Sequence, residues 1–235
     1  MTSFNTSKAP DDLRIHDDFN ERIVIRPEDY QWYSSPAKGV ERMMLDRIGG
    51  EIARATTIVR YAPNSEFSTH THSRGEEFFV LEGVFSDEHG EYPEGTYVRN
   101  PAGTSHTPKI GKDGATIFVK LHQFKSDDTV QKHIDTNQAE WYQGLVEGLN
   151  VMPLHEHGGE HVALVKWAPN TTFKLHKHWG GEEILVLSGT FYDEHGKYPQ
   201  GSWLRSPHLS SHTPYTKDDG ALIYVKTGGL PETYS

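Results

Sequence analysis

From Ile23 onward, short apolar runs alternate with Gly, Pro, Asn and Asp every eight to twelve residues. Short strands joined by tight turns produce that rhythm, so the pattern predicts an all-β sandwich or barrel. Strands are expected at Ala55–Tyr61, Glu77–Leu81, Thr96–Arg99 and Ala115–Leu121, and again at His161–Trp167, Glu183–Leu187, Ser202–Arg205 and Ala221–Lys226. Turns are expected at Glu88-His89-Gly90 and Glu194-His195-Gly196, and at the Pro-x-Gly steps ending in Gly95 and Gly201. No long stretch keeps a helical period. Short helices are possible around Arg26–Trp32 and Thr136–Trp141. The first 22 residues are polar and charged and read as an arm. They have no apolar signal region, and no run approaches the roughly 18 apolar residues of a membrane span, so a cytoplasmic, membrane-free protein is expected.

The second feature of the pattern is that it occurs twice. Residues 55–120 and 161–226 match at half of their positions with a fixed offset of 106. Upstream the offset becomes 109, so that Trp32 corresponds to Trp141 and Gly49-Gly50-Glu51 to Gly158-Gly159-Glu160. What the repeat preserves is a set of metal-ligand side chains. His70, His72, Glu76 and His106 recur as His176, His178, Glu182 and His212. In a strand, residues two apart share a face, so His70 and His72 point the same way. Glu76 opens the next strand and His106 comes from a distant hairpin. Three imidazoles and a carboxylate gathered in this way suit a divalent cation and leave room for other ligands.

Composition narrows the picture. With 33 acidic and 23 basic residues in 235, the net charge is -10, which argues against nucleic acid and anionic membranes as partners. The chain has no cysteine, which excludes disulfides, thiolate metal sites and a cysteine nucleophile. Five Trp, eleven Tyr and ten Phe can fill two small cores.

The first half reads His-x-His-x(3)-Glu-x(6)-Gly from His70 to Gly83, then Gly-x(5)-Pro-x-Gly-x(2)-His from Gly95 to His106. The second half repeats this from His176 to Gly189 and from Gly201 to His212, with Leu209 in place of Gly103. These words resemble the two signature motifs of the cupin superfamily, and the surrounding sequence is similar to the cupin domain of the anti-sigma factor ChrR. The resemblance covers about residues 25–235. It implies two tandem jelly-roll (double-stranded β-helix) barrels, a bicupin, in which all eight residues ligate metal, one ion per barrel. The helical zinc domain by which ChrR grips a sigma factor needs cysteines, and these cysteine-free 235 residues are not expected to form it. Domain limits are expected at 1–22 for the arm, 23–125 and 138–235 for the barrels, and 126–137 for a polar linker.

Other residues invite plainer readings. Glu77 and Glu183 fall on the opposite strand face from the ligand Glu and are expected to be solvated or strand-paired carboxylates. Arg99 and Arg205 are expected in structural salt bridges rather than behind the ligands. His89 and His195 belong to turns. His155, His157 and His161 are expected on the surface. His208 lies near His212 but outside the ligand set. Leu209 is expected to reshape its loop, whereas Asn64 and Asn170 tolerate positive φ where the motif usually has Gly.

Fe(II) or Zn(II) is the expected ion, with Mn, Ni and Co able to use the same donors. The resemblance implies a mononuclear metal-dependent dioxygenase acting on a small chelating ketone, diketone or aromatic compound, with Phe78, Tyr97 and Trp203 as candidate pocket residues. The alternatives are a non-catalytic zinc cupin with a sensory role in oxidant response, and a metal-dependent isomerase or decarboxylase. No acid–base catalytic residue is assigned. Association into a homodimer through strand edges is expected.

Overall fold

The structure is a computed structural model, and it describes residues 12–230. Among these residues every strand pairing is antiparallel, and helix is limited to one 3₁₀ turn, Pro27–Asp29. That turn is all that forms of the first expected helix, and residues 136–141 form only turns before a strand. No helix among the described residues is long and apolar enough to cross a membrane. Residues 1–11 of the expected arm lie outside the described residues.

The chain divides into two compact units, each built around an antiparallel sheet and a two-stranded ribbon. In the first, the strand order is Arg14–Ile15, Val40–Ile48, Arg54–Tyr61, Lys109–Leu121, Glu76–Asp87, Thr96–Asn100 and Lys132–Asp135. A two-stranded ribbon, His70–Thr71 against Ser105–His106, completes it. The second unit repeats the order with Tyr142–Gln143, Leu149–His157, Glu160–Trp167, Tyr215–Thr227, Glu182–Asp193, Trp203–Ser206 and finally Ile23–Ile25. Its ribbon pairs His176–Lys177 with Ser211–His212.

That last strand departs from the expected boundaries. Ile23–Ile25 precedes the first barrel in sequence but pairs with Trp203–Arg205 of the second. Its repeat equivalent, Lys132–Asp135, precedes the second barrel but pairs with Thr96–Arg99 of the first. The units are therefore residues 12–17 with Gln31–Ala139, and Asp18–Tyr30 with residues 140–230. The expected linker is not a free tether. It carries this edge strand, and its Asp128 is buried against Arg99 at 2.7 Å. The physical reason is edge satisfaction: each sheet would otherwise end on a strand with unpaired backbone groups.

Strand parity decides what faces inward. Phe78 and Val80 alternate with Glu77 and Phe79, and they pack with Val59, Phe85, Val98 and Ile117 in the first core. Ile184, Val186, Phe191 and Ile223 are the second-unit counterparts. Glu76 and Glu182 share the parity of Phe78 and Ile184, so these candidate ligand carboxylates lie on the inner face at the strand start. Gly83 allows the long strand to kink beyond this point. Its φ is +74°, and a Cβ there would run into the carbonyl oxygen of Gly114.

Candidate metal centres

The structure brings all eight candidate ligands together, four in each barrel. In each set, one donor atom per residue lies within 4.8 Å of all the others. In the first set, Nε2 of His72 is 3.2 Å and Nε2 of His106 is 3.7 Å from Oε2 of Glu76. In the second, Nε2 of His178 and of His212 are each 3.5 Å from Oε2 of Glu182. Donors about 2.1 Å from one ion stand roughly 3 Å apart when adjacent and about 4 Å apart when opposite, so these spacings fit a shared cation.

The outer nitrogens explain why the inner ones converge. Nδ1 of His70 faces the carbonyl of Ser68 at 3.3 Å, Nδ1 of His72 the Thr104 hydroxyl at 2.9 Å, and Nδ1 of His106 the Asp87 carboxylate at 3.1 Å. The second set repeats this with the Lys174 carbonyl at 3.1 Å, the Ser210 hydroxyl at 3.0 Å and Asp193 at 3.5 Å. Carbonyl and carboxylate acceptors assign the proton to Nδ1 in four of the six rings and leave Nε2 as a lone pair aimed inward. Nε2 of His106 then faces Nε2 of His70 at 3.2 Å, both of them lone pairs. Two lone pairs at that distance repel unless a cation lies between them. Nε2 of His72 is moreover buried with no hydrogen-bond partner. A buried, unpartnered acceptor in this setting fits a metal ligand.

Charge states agree with that fit. Burial first, then His70 and His122, pushes the His72 imidazolium down to about 4. Burial, then His212 and His176, pushes His178 down to about 3. His106 and His176 are lowered for the same leading reason. Neutral imidazoles are the metal-binding form. Burial raises Glu182 to about 7 despite the attraction of His212. Burial would also raise Asp193, but hydrogen bonds from His212, Tyr198 and the His195 amide, together with Arg22, hold it down at about 2.

Asp87 and Asp193, which no expectation singled out, stand directly behind the candidate ligands His106 and His212. Each ends its long strand, accepts from the tyrosine hydroxyl five residues on (Tyr92 at 3.0 Å, Tyr198 at 2.6 Å) and orients a ligand histidine. Their recurrence with His89 and His195 in Asp-Glu-His-Gly was the available signal. Glu88 and Glu194 in the same turns accept from the amides of Thr107 and Thr213, next to the ligands His106 and His212. Asn100 was also missed; its amide donates to Glu76 Oε2 at 3.2 Å.

Several side readings change. Glu77 and Glu183 are buried, so of the two expected readings the strand-paired one holds: they stand opposite Arg99 and Arg205 across their sheets, and Glu77 accepts from Tyr97 at 3.1 Å. Arg99 forms the expected structural ion pairs, with Asp128 and, at 3.7 Å, with Glu77. Arg205 donates to the Asp18 carbonyl at 2.7 Å. His155 is buried, not on the surface, although it joins no metal cluster among the described residues. His208 stays outside the ligand set and accepts from the Gly180 amide at 2.8 Å. Leu209 does not reshape its loop. Its φ is +62° where Gly103 has +90°, and its amide reaches His178 O at 2.9 Å just as that of Gly103 reaches His72 O at 2.8 Å. Phe78 packs in the core, and Tyr97 and Trp203 face away from the candidate ligands of their own barrels by strand parity, so neither Phe78 nor Tyr97 lines the cleft at the first centre. There, a cleft of about 620 Å³ adjoins His106 and is lined by His89, Asn100, Thr104, Gln131 and His133 among others.

Comparison with known proteins gives the family. A sequence model of the ChrR cupin-like domain matches residues 20–125 and again 129–231. No curated protein matches by sequence. Among solved structures, a candidate dioxygenase from Nostoc punctiforme aligns over 99% of this chain and 91% of its own, with a TM-score of 0.75 and 16% identity. A candidate glyoxylate-induced protein from Pseudomonas aeruginosa aligns over 95% and 92%, with a TM-score of 0.73 and 13% identity. Oxalate decarboxylase from Bacillus subtilis aligns over 91% and 78%, with a TM-score of 0.62 and 15% identity. At these identities the structures attest the fold alone. The double match to one family, on two barrels with the same inward-facing histidines and glutamate, makes this chain a member of the ChrR cupin-like family that carries the domain twice.

Proposed function

We propose that each barrel holds one divalent transition metal through its three histidines and one glutamate, and that the protein uses this chemistry as an oxygenase acting on a small chelating ketone or diketone. The observation that carries the reading is the convergence of inward lone pairs, fixed from behind by carbonyl and carboxylate acceptors, in both barrels. Fe(II) in such a set would let a chelating substrate and dioxygen meet at one ion. The protein's own residues do the positioning. Asp87 holds His106 in the ligating tautomer, Thr104, whose hydroxyl donates to Pro101 O at 2.8 Å and so accepts from the ring, does the same for His72, and Asn100 steadies the Glu76 carboxylate. The cleft beside His106 is lined by imidazoles, amides and hydroxyls. That lining favours an oxygen-rich substrate over an apolar aromatic one.

A second reading draws on the family itself. A ChrR-like cupin with Zn(II) would close a tetrahedron with four protein ligands and serve as a sensory module without turnover. A decarboxylase or isomerase is the third, supported by the fold shared with oxalate decarboxylase. Metal analysis of protein prepared without a histidine tag, followed by oxygen uptake with Fe(II) and a panel of diketones, tests these. The oxygenase reading expects two metals per chain, one after His72→Ala or His178→Ala, and substrate-dependent uptake. Two zinc ions per chain with no uptake across the panel would favour the sensory module.

A further inference from the structure

The two ligand sets are alike, but the charges behind them are not. In the second unit, Nη2 of Arg22 lies 3.0 Å from Asp193 Oδ2 and donates to the Tyr198 hydroxyl at 2.7 Å. The same Oδ2 faces Nδ1 of His212 at 3.5 Å, and the Asp193 side chain is fully buried. The chain thus runs from guanidinium to carboxylate to ligand imidazole. In the first unit the equivalent position is Gln131: Ile25 opposite Trp203 corresponds to Ile134 opposite Tyr97, which places Arg22 and Gln131 at matching points. Gln131 is neutral and donates to Asn100 at 3.4 Å, not to the aspartate. Among the described residues Asp87 has no Arg or Lys partner, and its ion-pair contact is His106 alone. Ser206 stands where Asn100 stands, so the amide that steadies Glu76 is also missing behind Glu182.

These differences set the charge of each loaded centre. A divalent ion, its glutamate and the buried aspartate balance to neutrality in the first. Arg22 leaves the second with one excess positive charge. Arg22 also competes with His212 for the same carboxylate oxygen, which weakens the acceptor that makes His212 a strong donor to metal. Both effects have the same sign.

We propose that Arg22 is a positioning and charge-setting residue of the second centre, which therefore holds its cation less tightly than the first and accepts an exogenous anion more readily. The inference rests on the metal-binding reading above. It assigns unequal roles to centres whose ligands are identical: retention in the first barrel, anion capture in the second.

The test uses Co(II) as the metal and azide as the anion, with affinities read by chelator competition and visible absorption. His72→Ala leaves the second centre and His178→Ala leaves the first. In the His72→Ala protein, Arg22→Gln is expected to tighten Co(II) about tenfold and to weaken azide, within the range that outer-sphere partners command. Arg22→Lys, which keeps the charge, is expected to keep both affinities. In the His178→Ala protein, Gln131→Arg should do the reverse, loosening Co(II) and tightening azide; it serves as the independent check should Arg22→Gln fail to fold. Unchanged or weakened Co(II) binding in Arg22→Gln would make Arg22 a mere clamp on its strand and overturn the proposal. Failure of both single-centre proteins to bind any Co(II) would instead bring down the metal reading itself.

Discussion

Oδ2 of Asp87 lies 3.1 Å from Nδ1 of His106, and both side chains are almost wholly buried. The carboxylate fixes the ring's tautomer and raises its basicity toward an ion on the other side. Asp87→Ala should therefore lower metal affinity at the first centre by about 10–100-fold while leaving the fold intact. Chelator competition on a His178→Ala background measures this; an unchanged affinity would remove Asp87 from the site.

The metal-free protein should lose stability in mild acid. His72 and His178 titrate at about 4 and about 3 in the folded protein, below the ordinary 6.5. Between pH 6.5 and about 4 the unfolded chain binds more protons at these rings, so stability rises with pH across that window. Glu182, raised from 4.5 to about 7, works the other way between those values. One carboxyl opposes two imidazoles, and the imidazoles prevail. Calorimetry in chelator should show a thermal midpoint that falls from pH 6.5 to 4.5; a midpoint that rises instead would contradict the assignment of buried neutral rings.

Asp128 lies in a stretch that composition marks as a linker, yet it closes a buried ion pair with Arg99 at 2.7 Å. Asp128→Ala should destabilise the protein by about 3 kcal/mol, the low end for breaking a buried pair, because Glu77 remains 3.7 Å from the same guanidinium. Urea unfolding reads this directly, and a change below about 0.5 kcal/mol, ordinary for surface positions, would show the pair to be of no consequence.

Leu209 occupies the left-handed region at φ +62° with its side chain exposed. A non-glycine residue there costs roughly 1–2 kcal/mol. Leu209→Gly should remove this strain, partly offset by the greater freedom of glycine in the unfolded chain. The net expectation is about 0.5–1 kcal/mol of added stability, seen as a higher denaturation midpoint with metal content unchanged. A loss of stability would mean that the exposed leucine makes contacts worth more than the strain.

The strands and the ligand sets were readable because both depend on local order. Parity along a strand places His70 with His72 and sets Glu76 opposite Glu77, and the repeat confirms each assignment by doing it twice. The same parity could have removed Tyr97 and Trp203 from the pocket, since they alternate with inward-facing Val98 and Leu204. Long-range choices were not readable. Ile23-Val24-Ile25 could pair equally well with Thr96–Asn100 or with Trp203–Ser206, two edges of nearly the same pattern, and only the folded chain shows which. Arg22 meets Asp193 across 171 positions, and no spacing rule links them. Arg99 was legible as a salt-bridge former but its partner Asp128 was not, because a charged stretch after a strand reads as solvated chain.

The traded edge strands bear on how this architecture could be cut or transplanted. A cassette spanning 20–125 would take along a strand that belongs to the other barrel and forfeit the one that seals its own. A cassette spanning 129–231 would do the mirror image. Either excision leaves a raw β-edge, the kind of surface on which chains stack and precipitate. Any engineered excision is thus pressed to treat the two halves as an inseparable pair, although their sequences look like interchangeable modules.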